Sequence, residues 1–155
     1  MKTVKDQILV CDMSSNFCSK PVDVTKYGMI FAGAHKNVGP AGTTIVIVRE
    51  DLLDKKFDFT PTMCDYLVQA KADSMYNTPP CYTIYVCGLV FEYLKKMGGL
   101  KYWEEFNTKK ANIIYDLIEN SNGFYIAPIQ KGFRSIMNIP FRIKNSSFFL
   151  IKNKN

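Results

Sequence analysis

The sequence is poor in the residues from which metal sites and disulfide frameworks are built. It has one histidine, His35, and five cysteines among 155 residues, and no two cysteines have the C-x-x-C spacing. Structural zinc needs about four closely spaced histidine or cysteine ligands, so we predict no metal site. An odd number of cysteines without paired spacing is typical of free thiols in a reducing compartment, which predicts a cytoplasmic protein.

Long apolar runs and basic blocks are missing as well. The first residues, "MKTVKDQILVCD", contain no stretch that resembles a signal peptide, and we expect no membrane-spanning segment. The net charge is +6 and the pI about 9.0, but the basic residues are scattered, so nucleic-acid binding is not predicted. A positive charge does suit ligands that carry phosphate. With 47% hydrophobic and 22% charged residues, the chain is predicted to be one globular unit without internal repeats.

Three short apolar runs predict strands of an α/β fold. They are "QILVCD" at residues 7–12, "MIFAGAH" at 29–35 and "TTIVIVRE" at 43–50. Because the runs are continuous rather than alternating, they are typical of strands buried on both faces of a sheet. The segments between them are too short for long helices. We therefore predict neighbouring strands joined by loops or short turns.

Two helices are predicted after a long irregular connection. The pair Pro79–Pro80 indicates a helix start, and "CYTIYVCGLVFEYLKKM" carries apolar residues on most faces, which predicts a buried helix. Gly98–Gly99 is typical of a helix end. A second helix is predicted from about Leu100, with an apolar stripe formed by Trp103, Phe106, Ile113, Ile114, Leu117 and Ile118.

The last third of the chain predicts a smaller α+β piece. "GFYIAP" and "RSIMNIPFRI" are expected to form two strands of an antiparallel unit. We place a domain boundary between residues 1–98 and 99–155. An apolar patch at residues 148–151 runs into a Lys/Asn-rich end, from which we expect a chain that stops before its domain does.

An acid and a lysine follow two of the predicted strands. Asp12, which we expect to be a buried acid, ends the first strand, and Lys36 comes 24 residues later, just after the second. Ligands of α/β sheets gather at such strand ends. A carboxylate can hold a protonated ring nitrogen and a lysine can form an imine with an aldehyde, which is what pyridoxal phosphate requires. An acid at a strand end is also typical of turns, and a lysine in a glycine-rich loop is often simply solvated.

Longer motifs give this pair a context. "VCDMSSNFCSKPVDVTKYGMIFAGAHKNVGPAGTTIVIVREDLL", "SMYNTPPCYTIYVCGLVFEYLKKMGG", "NSNGFYIAP" and "RSIMNIPFRI" occur in that order. Together they resemble the phosphoserine aminotransferases, which are class V pyridoxal-phosphate enzymes of fold type I. The resemblance reaches to about Lys144. It implies that residues 1–98 are the later part of a cofactor-binding large domain and that residues 99–155 begin a small domain.

The resemblance assigns roles to five residues. Lys36 matches the lysine that forms the Schiff base with the cofactor and moves a proton, and Asp12 matches the acid at the pyridine nitrogen. His35 stands beside the cofactor phosphate, where the family usually has glutamine. Asn77 and Thr78 match residues that reach the phosphate from the neighbouring subunit of a homodimer. An amide and a hydroxyl near a helix start are suitable phosphate donors.

The sequence also departs from the family pattern. The segments that cup the cofactor phosphate and stack on its ring are absent, and the family's "RSRMN" is "RSIMN" here, with Ile136 in place of an arginine. The small residues around Lys36 are interpreted as room for a planar cofactor.

The resemblance implies amino transfer from glutamate to 3-phosphohydroxypyruvate, giving O-phosphoserine for serine biosynthesis, from an incomplete chain. The alternatives are an inactive truncated paralogue, another class V enzyme such as a cysteine desulfurase, and a basic α/β binding module.

Overall fold

A computed structural model describes residues 7–144, and its first part is a three-stranded sheet. The strands are β1 (Val10–Asp12), β2 (Met29–Gly33) and β3 (Thr44–Val48), in the order β1-β2-β3. β1 runs parallel to β2, and β2 pairs with β3 antiparallel over its full length. The connections contain only short 3-10 turns, so the prediction of neighbouring strands joined by loops or turns is confirmed.

The prediction that these strands are buried on both faces is wrong for the described residues. β2 alternates between buried and half-buried positions, with Ile30 and Ala32 fully enclosed. In the outer strands, Val10 is 53% exposed and Ile47 is 39% exposed. The physical reason is that a continuous apolar run is typical of a strand whose two faces are both packed against other elements. Within residues 7–144, β2 is packed mainly on the face that carries Ile30 and Ala32.

Three helices follow the sheet: α1 (Tyr66–Lys71), α2 (Cys81–Lys96) and α3 (Gly99–Glu119). Pro80 is the N-cap of α2, which confirms the predicted start. Gly98 adopts φ +114°, a left-handed conformation that glycine allows, and it separates α2 from α3. The predicted domain boundary falls at this turn and stays a prediction.

The predicted burial of α2 is wrong, and the predicted apolar stripe of α3 is buried only in part. In α2 only Cys87 is buried, and Tyr82 is 73% exposed. In α3 the predicted apolar stripe is largely exposed, with Ile113 at 71% and Leu117 at 62%, although Ile118 is buried. The buried residues of α3 are Asn107, Ala111, Tyr115 and Ile118.

Polar partners decide which face of α3 is buried. The Asn107 side chain donates a hydrogen bond of 3.2 Å to the carbonyl of Ser19, and the Tyr115 hydroxyl donates one of 2.8 Å to the carbonyl of Ser135. Ala111 lies between these two residues, because positions four apart share a face of a helix. A search for apolar spacing does not identify the buried face of α3, because two of its residues, Asn107 and Tyr115, carry polar groups.

A short antiparallel ladder completes the described part of the chain. β4 (Tyr125–Ile126) pairs with β5 (Arg142–Ile143), which confirms the predicted antiparallel unit. The second strand is shorter than predicted because residues 134–139 turn against α3 instead. The apolar patch predicted at residues 148–151 lies outside the described residues.

Candidate cofactor site

Lys36 ends a 3-10 turn that follows the central strand directly. This turn, Ala34–Lys36, is anchored by Ala34, which is fully buried and whose N–H donates to the carbonyl of Thr43 at 2.9 Å. The N–H groups of Val38 and Gly39 donate to the carbonyl of Ala34. The backbone below Lys36 is therefore fixed, while its side chain is exposed and reaches Ser15, with Nζ to Oγ at 3.2 Å.

Asp12 ends the neighbouring parallel strand, so its carboxylate and Lys36 belong to the same edge of the sheet. It lies opposite Phe31 in the register and accepts a hydrogen bond of 2.8 Å from the Ser14 N–H. Hydrogen bonds from Ser14 hold the pKa of the Asp12 carboxyl below its usual value, and the positive charge of Lys36 lowers it further. The acid is exposed in the described chain, not buried as predicted, and it is anionic at neutral pH.

Two serines that sequence reasoning missed connect these groups. Ser14 Oγ accepts a hydrogen bond of 3.0 Å from the Gly33 N–H, which ties the segment after β1 to the end of β2. Ser15 Oγ is the partner of Lys36. Their position in the sequence could have indicated this role, since the two hydroxyl residues stand two and three places after the acid that ends β1.

The small residues around Lys36 make room for the chain's own side chains. A Cβ at Gly33 would lie 2.6 Å from the His35 ring, and a Cβ at Gly39 would overlap the sulfur of Cys87 on α2. A Cβ at Gly42, whose φ is +118°, would lie 3.3 Å from the Thr83 side chain. These three glycines are thus explained by contacts within the chain, and the interpretation of the small residues as room for a cofactor stays a prediction.

A cavity of about 260 Å³ opens beside Lys36. It is lined by Ser15, Lys36, Met137 and Asn138. Met137 and Asn138 come from the motif "RSIMN", so the turn after α3 supplies one wall of the site. Ile136 in the same motif packs against the buried face of α3, which gives a packing role to the residue that replaces the family's arginine.

The remaining predicted residues lie apart from this cavity or beside it. His35 is exposed and folds its ring over Gly33. Asn77 and Thr78 are exposed just before α2, and the amide of Asn77 donates to the carbonyl of Thr78 at 3.2 Å. Neither lines the Lys36 cavity, so their role toward a neighbouring subunit stays a prediction.

The residues present fit pyridoxal phosphate by their chemistry. Lys36 offers an amine, Asp12 a carboxylate for a ring nitrogen, and Ser15 and Asn138 offer hydroxyl and amide groups at the cavity wall. Within residues 7–144, no cluster of three or more His, Cys, Asp or Glu could hold a metal ion. None of the helices in that span is long and apolar enough to cross a membrane.

Comparison with known proteins establishes the class. A family model described as aminotransferase class-V matches residues 1–151, and the chain belongs to that family. A solved phosphoserine aminotransferase, studied for radiation damage of its Schiff base, superimposes with a TM-score of 0.88 at 45% identity over 95% of this chain and 41% of the other. The fold is therefore part of the type I pyridoxal-phosphate aminotransferase fold.

Within the class, the similar relatives are phosphoserine aminotransferases. Chloroplastic phosphoserine aminotransferase 1 of Arabidopsis thaliana is 56% identical over 142 residues, which are 92% of this chain and 33% of that protein. The Laribacter hongkongensis phosphoserine aminotransferase is 57% identical over 88% of this chain and 38% of its own length. A pyridoxal-phosphate-bound phosphoserine aminotransferase from Trichomonas vaginalis has a TM-score of 0.87 at 38% identity, covering 100% of this chain and 42% of that one.

The match is broad for this chain and partial for its relatives. The chain spans 33% and 38% of the two curated relatives described above. The family model's match at residues 1–151 includes Asp12 and Lys36.

Proposed function

We propose that the chain is the lysine-bearing part of a phosphoserine transaminase, an enzyme that moves an amino group from glutamate to 3-phosphohydroxypyruvate to give O-phosphoserine. The observation that carries the proposal is the edge of the sheet at which Asp12 ends β1 and Lys36 ends the turn after the parallel strand β2, beside an open cavity. Both substrates and the cofactor are anionic, which agrees with the net charge of +6.

Pyridoxal phosphate, when bound, supplies an electron sink for the substrate's α-carbon. Lys36 provides the amine that attaches it, and the same amine is placed to accept and return a proton at Nζ. Ser15 Oγ orients that amine, at 3.2 Å. Asp12 is anionic at neutral pH, and its lowered pKa favours the charged form further, so it can hold a positive charge on a ring nitrogen.

Two further roles complete the proposal. His35 is assigned to the side of the cofactor phosphate, and Asn77 and Thr78 are assigned to the phosphate of a neighbouring subunit in a homodimer. The exposure of both residues just before α2 supports this, because it leaves their amide and hydroxyl groups accessible. The cytoplasm is the proposed compartment, although two matched plant relatives are chloroplastic by name.

A second candidate is an inactive form that keeps Lys36 but does not turn over substrate alone. The exposed apolar surface favours it, since Val10 on the sheet and Tyr82 on α2 are 53% and 73% exposed. Such surface is normally covered by other parts of a fold or by a partner.

The test is attachment of pyridoxal phosphate to the purified chain. Borohydride treatment followed by peptide mass spectrometry should locate the cofactor on Lys36 and lose the signal in Lys36→Ala. Lys26→Ala is the matched control, since Lys26 also ends a short 3-10 turn beside β2 and is exposed. Equal labelling of wild type and Lys36→Ala would refute the assignment. Labelling without glutamate-dependent turnover would favour the inactive form.

A further inference from the structure

One wall of the Lys36 cavity comes from outside the sheet. Met137 and Asn138 face Ser15 and Lys36 across it. The position of these two residues depends on a turn without regular secondary structure. The question is therefore what holds this turn in place.

The turn is closed by the side chain of Ser135. Its Oγ accepts hydrogen bonds from the N–H groups of Met137 and Asn138, at 3.1 and 3.0 Å. A serine that accepts from the backbone two and three residues ahead fixes a tight local bend. Ser135 thus sets the backbone direction at the two residues that reach the cavity.

The same serine is attached to α3. The Tyr115 hydroxyl donates a hydrogen bond of 2.8 Å to the carbonyl of Ser135, and Tyr115 is only 8% exposed. The guanidinium of Arg134 lies 4.6 Å from the centre of the Tyr115 ring. Arg134 also donates to Glu119 at 2.6 Å, so the ring is held between its helix and a paired arginine.

Apolar contacts reinforce the attachment. Ile136 and Ile139 pack against the buried cluster of Ala111, Tyr115 and Ile118 on α3. The residues on either side of Met137 and Asn138 therefore pack against α3, while Met137 and Asn138 line the cavity beside Lys36.

We propose that Tyr115 is a positioning residue of the cofactor site, which, together with Arg134 and Ser135, holds Met137 and Asn138 against the Lys36 cavity. The part that concerns the cofactor rests on the proposed function, whereas the placement of the turn does not. The chemistry requires a rigid wall, because a site that binds a planar ligand loses affinity when a supporting turn can move.

The test replaces Tyr115 by phenylalanine in the full chain and follows backbone amides by NMR without cofactor. The ring stays, so packing is kept, and only the hydroxyl is lost. We expect amide exchange of Met137 and Asn138 to become roughly three- to tenfold faster, which is the factor that a typical hydrogen bond contributes. The amide signals of Ser15 and Lys36 should shift as well. Exchange at buried Val38 should not change, which separates a local effect from general destabilisation.

Tyr102→Phe is the matched control, since Tyr102 lies on the same helix and is 38% exposed. It should leave all four amides as in wild type. Ser135→Ala, which removes the acceptor of the turn itself, provides a second variant if Tyr115→Phe folds poorly. Unchanged exchange at Met137 and Asn138 in a folded Tyr115→Phe protein would overturn the proposal, and so would faster exchange with unshifted Ser15 and Lys36 signals.

A second readout concerns the cofactor. The pyridoxal phosphate concentration that gives half-maximal borohydride labelling of Lys36 should rise roughly three- to tenfold in Tyr115→Phe. An unchanged value would refute the link between the turn and the site. If wild type is not labelled at all, the proposed function fails, while the amide signals still decide whether Tyr115 positions the turn.

Discussion

Gly39 is a position at which the lysine loop packs closely against α2. A Cβ placed there would lie under 3.0 Å from the Cys87 sulfur and 3.6 Å from the Ala34 Cβ. Ala34 and Cys87 are both buried, at 0% and 4% exposure. Gly39→Ala should therefore force α2 and the loop apart, although its backbone conformation does not itself demand glycine.

The expected cost follows from overpacking. An added carbon in a closed core typically costs about 1–3 kcal/mol, because side chains and backbone must shift. With a denaturant dependence of about 2 kcal/mol per molar urea, a loss of about 2 kcal/mol lowers the unfolding midpoint by about 1 M. Gly88→Ala is the matched control on α2: nothing lies within 4 Å of the point that its new methyl group would occupy, and it should raise stability by about 1 kcal/mol.

The assay is urea unfolding of five proteins: wild type, the Gly88→Ala control, Gly39→Ala, Cys87→Ala and the variant with both Gly39→Ala and Cys87→Ala. If the sulfur is the obstacle, removing it relieves the clash, and the double variant loses less than the two single losses added together. The coupling should be on the order of 0.5–3 kcal/mol. A Gly39→Ala protein as stable as wild type, or strictly additive losses, would refute the steric explanation.

Two more predictions concern carboxylates. Asp12→Asn should weaken pyridoxal phosphate labelling of Lys36 without disturbing the fold, because an amide oxygen can still accept from the Ser14 N–H. Asp23→Asn is the control, since Asp23 caps a 3-10 turn by the same contact to the residue two ahead, and it should leave labelling unchanged. Weaker labelling in Asp23→Asn and unchanged labelling in Asp12→Asn would contradict the role of Asp12. Asp65 caps α1 and pairs with Lys56, and this pairing holds the pKa of the Asp65 carboxyl below its usual value. Its contribution to stability is therefore complete above the ordinary aspartate pKa and disappears as the pH falls through the lowered pKa of the folded state. Across this acidic range, the urea midpoint of Asp65→Asn should depend less on pH than that of wild type.

The elements that could be predicted are those with local signals. Pro80 at the start of α2 and Gly98 at its end act through backbone conformation, which is set within a few residues. The order of the first three strands followed from the short connections between them. Asp12 and Lys36 could be placed at one edge because residues at or just after the ends of parallel neighbouring strands lie there.

Burial could not be predicted in the same way. Ile113 and Leu117 have the spacing of an apolar face, yet the buried face of α3 carries Asn107 and Tyr115. That choice depends on the carbonyls of Ser19 and Ser135, which are distant in sequence. The spacing of apolar residues gives no information about such partners. An amide or phenol is buried without a large energetic cost only when it has a hydrogen-bond acceptor nearby.

The glycines around Lys36 show how one pattern can have two physical causes. Space for a ligand and space for a neighbouring helix both require small residues, and the sequence does not distinguish them. Cys87 lies on α2, far along the chain from Gly39, so the contact that requires glycine is invisible locally. The loop thus carries two separate constraints: Gly39 sets how closely α2 docks, while Lys36 points its amine toward Ser15. Substitutions at Gly39 should therefore change stability first, and substitutions at Lys36 should change chemistry without a comparable loss of fold, because its side chain is exposed.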